Sequence, residues 1–90
     1  MSAIVFAKAF RRHVDCPDES VDGAATVGAA LATYFDRHPG VRGYVVDDAG
    51  QLRRHVTIFV DDAQLTHRDA FAAPLGPAST IHVFQALSGG

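Results

Sequence analysis

Thr26-Val27-Gly28-Ala29-Ala30-Leu31-Ala32-Thr33-Tyr34-Phe35-Asp36-Arg37-His38-Pro39-Gly40 is the stretch whose reading decides the fold. Val27, Ala30, Leu31, Tyr34 and Phe35 recur at three and four residues, which on a helix gathers them into one apolar stripe, with Asp36 and Arg37 off it. Thr26 is the N-cap, because its hydroxyl can take up a backbone N–H that the first turn leaves unsatisfied. Gly28 in that turn costs up to about 1 kcal/mol of helix propensity, so burial of the stripe must hold the helix. His38-Pro39-Gly40 closes it: proline pushes the preceding residue out of helical geometry, and glycine permits the chain to reverse. A single stripe of this kind needs a sheet to lie on.

Upstream, residues 3–10 read as a strand rich in Ile, Val and Phe, with Ile4 and Phe6 on one face and Val5 and Ala7 on the other. Val14 and Val21 lie on or beside a second strand, which Pro17 confines to an edge. Downstream, Tyr44-Val45-Val46 reads as a short strand and Asp47-Asp48-Ala49-Gly50 as a turn. Residues 54–60 form a longer strand in which Val56, Ile58 and Val60 share a face opposite Thr57 and Phe59. Asp61-Asp62 turns the chain toward Gln64-Leu65, as in a hairpin. Residues 66–77 carry two prolines, which forbid a long regular element. The last strand, residues 80–86, points Ile81 and Val83 one way and His82 and Phe84 the other.

The order strand, strand, helix, strands predicts an α+β fold of β-grasp type, a mixed sheet packed on one main helix. A ferredoxin-like split βαβ arrangement is the competing topology, but it wants a second helix that residues 66–77 make poorly. The expected organisation is one domain over residues 1–86, followed by a flexible tail, Leu87-Ser88-Gly89-Gly90.

Composition narrows the function. A net charge of −2 argues against a nucleic-acid footprint. Seven of the eight basic residues are arginines, and the doublets Arg11-Arg12 and Arg53-Arg54 are too short to track phosphates, so they read as solvated surface charge. No apolar run approaches the roughly 20 residues that cross a bilayer, and Met1-Ser2-Ala3-Ile4 lacks the basic start of a secretory leader, so the cytoplasm is the expected location.

Internal active sites fail one by one. The lone Cys16 makes neither an internal disulfide nor a thiolate zinc site, and reads as a small buried hydrophobe. His13, His38, His55, His67 and His82 are scattered without helical i, i+4 pairing, so no metal site is predicted. The doublets Asp47-Asp48 and Asp61-Asp62 are explained by turns, and Gly23 and Gly28 make no nucleotide-binding fingerprint.

What remains is the end of the chain. Without Cβ atoms, Gly89 and Gly90 can thread a narrow channel and adopt angles closed to other residues. They also leave the terminal carboxyl carbon unhindered for attack. A structured last strand fixes where such a reach begins.

The strand-helix-strand order resembles that of the MoaD/ThiS-type ubiquitin-like sulfur carriers. So do the phrase Leu52-Arg53-Arg54-His55-Val56-Thr57-Ile58-Phe59-Val60-Asp61-Asp62 and the ending Ile81-His82-Val83-Phe84-Gln85-Ala86-Leu87-Ser88-Gly89-Gly90. The resemblance implies a carrier protein and not an enzyme, with Gly90 as the adenylate and thiocarboxylate site and Gly89, Ser88 and Leu87 threading into the partner. An E1-like (ThiF/MoeB-type) enzyme would adenylate Gly90 with its own ATP and magnesium, the chain itself binding no cofactor. A sulfur donor would then convert the adenylate to a thiocarboxylate for a sulfur-accepting biosynthetic enzyme, in a molybdopterin, thiamin, cysteine or thio-metabolite pathway. Phe84, the position six before the last glycine, belongs to a docking face in relatives of this fold. Strand parity adds Phe59 and His82 to the same outward face. Two alternatives share the fold: a protein modifier joined through Gly90 to lysines, and a non-covalent binding module. The single lysine, Lys8, argues against self-linked chains.

Overall fold

The structure is a computed structural model that describes residues 2–66 and 69–85. Its frame is a five-stranded mixed sheet in the order β2-β1-β5-β3-β4. The strands are β1 (Ser2–Phe6), β2 (Glu19–Val21), β3 (Val56–Val60), β4 (Ala63–Gln64) and β5 (Thr80–Gln85). β1 pairs antiparallel with β2 and parallel with β5, and β5 pairs antiparallel with β3. The last strand therefore occupies the middle of the sheet, which identifies the fold as a β-grasp.

The main helix, α2 (Val27–Arg37), lies across one face of this sheet, because the stripe and the inward strand positions are apolar together. Val27, Ala30, Leu31 and Tyr34 are buried against Ile4 and Phe6 of β1, Val56 and Ile58 of β3, and Ile81 and Val83 of β5. The Thr26 side chain accepts the Ala29 N–H at 3.2 Å, as the cap requires. The 3-10 helix Ala70–Ala72 closes over the start of α2, and the Val27 N–H donates to the Ala73 carbonyl at 3.0 Å. Residues around it are thus tied to the helix and not to the sheet.

Two elements depart from the sequence reading. The first strand ends at Phe6, and α1 (Lys8–Arg11) follows, burying Phe10 where an extended continuation of the strand was expected. Phe6 and Phe10 are four residues apart, and the turn brings their rings edge to face at 5.6 Å. Tyr44-Val45-Val46 is likewise not a strand. Pro39 starts α3 (Pro39–Val45), and Val46 makes only an isolated bridge with Leu52. Proline is tolerated at a first helical position because its missing N–H has no partner to lose there. Val41 and Val45, four apart, are the buried pair that holds this helix.

The expected turns hold. Asp47 accepts the N–H groups of Ala49 and Gln51 on one carboxylate oxygen, and Gly50 takes a positive φ of 81°. At the β3–β4 corner Asp61 sits at φ 53° and exchanges two hydrogen bonds with Thr80: the Asp61 N–H donates to the Thr80 carbonyl at 2.9 Å, and the Thr80 N–H donates to the Asp61 carboxylate at 3.0 Å.

Candidate functional site

The face of the sheet turned away from α2 carries the expected aromatic group. On β5, Ile81 and Val83 are fully buried while Phe84 is 42% exposed. The register places His82 opposite Phe59 and Thr57 opposite Phe84. Phe59 and Phe84 are therefore diagonal neighbours, and their rings meet edge to face with centroids 5.5 Å apart at 85°. His82 lies over Phe84 in a stacked arrangement, centroids 6.1 Å apart at 18°. Phe59 packs on this face and not beneath the segment around the 3-10 helix.

The three side chains line a shallow depression of about 450 Å³ whose remaining walls are Asp61 and Asp62. An apolar floor with an acidic edge is suited to an aliphatic side chain accompanied by a cation. The parity of β5 revealed the aromatic part in advance. The acidic edge was not foreseen, because Asp61 and Asp62 read only as a turn.

Of the other expected site residues, Leu87, Ser88, Gly89 and Gly90 lie outside the described residues. Their point of attachment does not: β5 runs through Gln85, which pairs with Val56 between two neighbouring strands. The chain is thus held in register through Gln85, five residues before Gly90.

No group of three His, Cys, Asp or Glu side chains among the described residues could hold a metal ion. Cys16 is buried, and burial pushes its thiol pKa upward, away from the reactive thiolate. His38 meets Glu19 at 2.5 Å, and Arg37 reaches the same carboxylate at 3.3 Å, joining the end of α2 to β2. The His38 contact, with Arg37 second, holds the Glu19 carboxyl below its ordinary range. A larger groove, about 570 Å³, runs beside α2 between Leu31, Phe35, Pro39 and Phe71, with Asp36 and Arg42 as its charged residues. No helix among the described residues is long and apolar enough to cross a membrane.

Comparison with known proteins agrees with this architecture. No family model matches the chain. The small archaeal modifier protein 1 of Haloferax volcanii is 35% identical over 74 residues, covering 78% of this chain and 76% of the relative. The crystal structure of that archaeal protein superposes with a TM-score of 0.78, at 22% identity over 99% of this chain and 98% of the other. A chain of the crystal structure of the Amycolatopsis orientalis BexX/CysO complex superposes with a TM-score of 0.81, at 21% identity over 100% of both chains. These two superpositions establish the ubiquitin-like fold, and the match to the archaeal protein establishes kinship. The chain belongs to the family of the small archaeal modifier protein 1, small carrier and modifier proteins within the MoaD/ThiS-like ubiquitin-fold sulfur-carrier superfamily.

Proposed function

We propose that the chain is a ubiquitin-like modifier whose working group is the carboxylate of Gly90. The observation that carries this reading is the 35% identity to a protein named as a modifier, across three quarters of both chains. In the first step a carboxylate oxygen of Gly90 attacks the α-phosphate of ATP held by an E1-like enzyme, and pyrophosphate leaves. In the second, the amine of a target lysine attacks the acyl carbon, AMP leaves, and an amide bond forms. This chain contributes no proton transfer. It supplies a body over residues 1–86 and a tail, Leu87-Ser88-Gly89-Gly90, thin enough to thread the enzyme's channel. Phe84, Phe59 and His82 form the face that the enzyme grips. The need for ATP sets this chemistry in the cytoplasm.

A second reading, the sulfur carrier, is favoured by membership of the MoaD/ThiS-like superfamily. It shares the first step and differs in the nucleophile: sulfide attacks the acyl carbon of the adenylate, AMP leaves, and a thiocarboxylate results. That group is softer and more nucleophilic than a carboxylate, and a tethered sulfur reaches the accepting enzyme at high effective concentration.

Intact mass analysis separates the two. After incubation with the E1-like enzyme of the same genome, ATP, a sulfide source and a cell extract, the modifier reading expects adducts to other proteins through Gly90. Replacement of one oxygen by sulfur on the free chain, with no adducts, would transfer the assignment to the carrier. Deleting Gly90 is expected to abolish both products while leaving the melting temperature nearly unmoved, and an unaltered mass of the full chain would defeat both readings.

A further inference from the structure

The two arginine doublets, remote in sequence, are brought to one end of the molecule. β1 runs parallel to β5, so α1, which starts two residues after β1, packs beside the end of β5. β3 runs antiparallel, and the pairing of Val56 with Gln85 sets Arg53-Arg54-His55 at the same end. Arg53 draws α3 in as well: its N–H donates to the Val45 carbonyl at 3.0 Å and its guanidinium to the Gly43 carbonyl at 2.7 Å. On that helix Tyr44, 42% exposed, stacks on His13 just beyond α1. Five of the eight Lys and Arg residues therefore stand where the chain continues toward Gly90.

Not all of this charge is available. Arg11 pairs with Asp18 at 2.6 Å, and Arg53 is committed to backbone carbonyl contact. Lys8, Arg12 and Arg54 are exposed and enter no ion pair among the described residues. The acidic corner, Asp61-Asp62, follows the far end of β3. A chain of net charge −2 thus turns a positive end toward whatever receives its carboxyl terminus.

We propose that Lys8, Arg12 and Arg54 dock, with Tyr44 beside them, on an acidic protein surface rimming the site where the activating enzyme takes in Gly90. The inference rests on the reading that an enzyme activates Gly90. Five extended residues span at most about 17 Å, so an enzyme whose active site reaches Gly90 must face this end of the sheet. Three exposed cations are too few to hold a nucleic acid against physiological salt, where affinity grows with each phosphate neutralised. A carboxylate rim on a protein needs only a few, since complementary charge acts by speeding and orienting the encounter.

The test uses the full chain and the E1-like enzyme of the same genome, with binding followed by calorimetry without ATP and activation by ATP–pyrophosphate exchange. The triple variant Lys8→Glu, Arg12→Glu, Arg54→Glu is expected to bind at least about tenfold more weakly at low salt and to raise KM with kcat unchanged. Its deficit should shrink as salt screens the charges. Arg42→Glu, the same charge change beside the α2 groove, should bind like the unmodified chain, and melting curves of all variants check the fold. Exchange that proceeds with equal KM in the triple variant would overturn the docking inference and leave the Gly90 reading intact. Charge-dependent binding without any exchange would do the reverse. Retention of transfer RNA by the unmodified chain, lost in the triple variant while enzyme binding is unchanged, would reassign this end to nucleic acid.

Discussion

The phenol of Tyr34 donates a hydrogen bond to the carbonyl oxygen of Pro17 at 2.7 Å, tying the buried stripe of α2 to the chain that leads into β2. Tyr34 is fully buried, so this bond is the outlet for the one polar atom on the stripe. Replacing Tyr34 with Phe keeps the ring and strands the carbonyl. We expect a loss of about 1 kcal/mol, read as a drop of about 4–8 °C in melting temperature.

The same burial gives an alkaline limit to stability. Desolvation raises the Tyr34 phenol well above its ordinary value, and burial raises the Cys16 thiol in the same direction. In both cases the folded protein holds its proton more tightly than the unfolded chain. Stability is fully present below the unfolded values, about 8.5 for Cys and 10 for Tyr, and falls as pH rises past them. Urea denaturation between pH 8 and about 11 checks this, and Tyr34→Phe should flatten the upper part of the decline.

Glu19 sets an acid limit of opposite sign. The hydrogen bond from His38, helped by Arg37, lowers its carboxyl pKa in the folded state. Its contribution is therefore present above the unfolded value of about 4.3 and is lost as pH falls through the folded value. Thermal melts across this range should show a shallower acid slope for Glu19→Gln than for the unmodified chain.

Two glycines in helices should respond oppositely to alanine. A Cβ on Gly28 would lie 2.9 Å from the Phe71 carbonyl oxygen and 3.1 Å from its Cβ, so the 3-10 helix must move. A Cβ on Gly43 meets nothing within 4 Å. Gly43→Ala should stabilise by about 0.5–1 kcal/mol through helix propensity, while overpacking in Gly28→Ala should outweigh that gain and destabilise by about 1 kcal/mol.

The aromatic face makes the fifth prediction. Phe84 is too exposed for its loss to disturb the core, and Phe84→Ser should change stability by less than about 1 kcal/mol. If it anchors the activating enzyme, the same change should lower kcat/KM of ATP–pyrophosphate exchange at least tenfold, a loss of about 1.4 kcal/mol. Unchanged exchange would remove Phe84 from the docking face.

What the sequence made legible was local and periodic. Thr26, the α2 stripe, the Asp47–Gly50 turn and the alternation of β5 each announce themselves within a few residues, and each stands as read. α1 and α3 escaped because short apolar runs fit either period. Phe6 and Phe10, and Val41 and Val45, are the i, i+4 pairs that carried the helical signal, and Pro39, read rightly as the stop beyond α2, also serves as the start of α3. The aromatic group followed from parity. The meeting of Lys8, Arg12 and Arg54 did not, because it depends on β5 entering between β1 and β3, a long-range choice that no window of sequence contains.

That central placement of β5 also governs how the molecule meets mechanical load. β1 and β5 run the same way side by side, with bridges such as Ala3 to Ser79 at 3.0 Å and Ala7 to Val83 at 2.9 Å. Traction applied at the two chain ends slides one strand along the other and strains the whole row at once, whereas a hairpin would open bond by bond. A copy anchored by its carboxyl end and hauled from its amino end is thus a shear clamp, and the rate at which that clamp slips sets how fast an unfolding motor can take it apart.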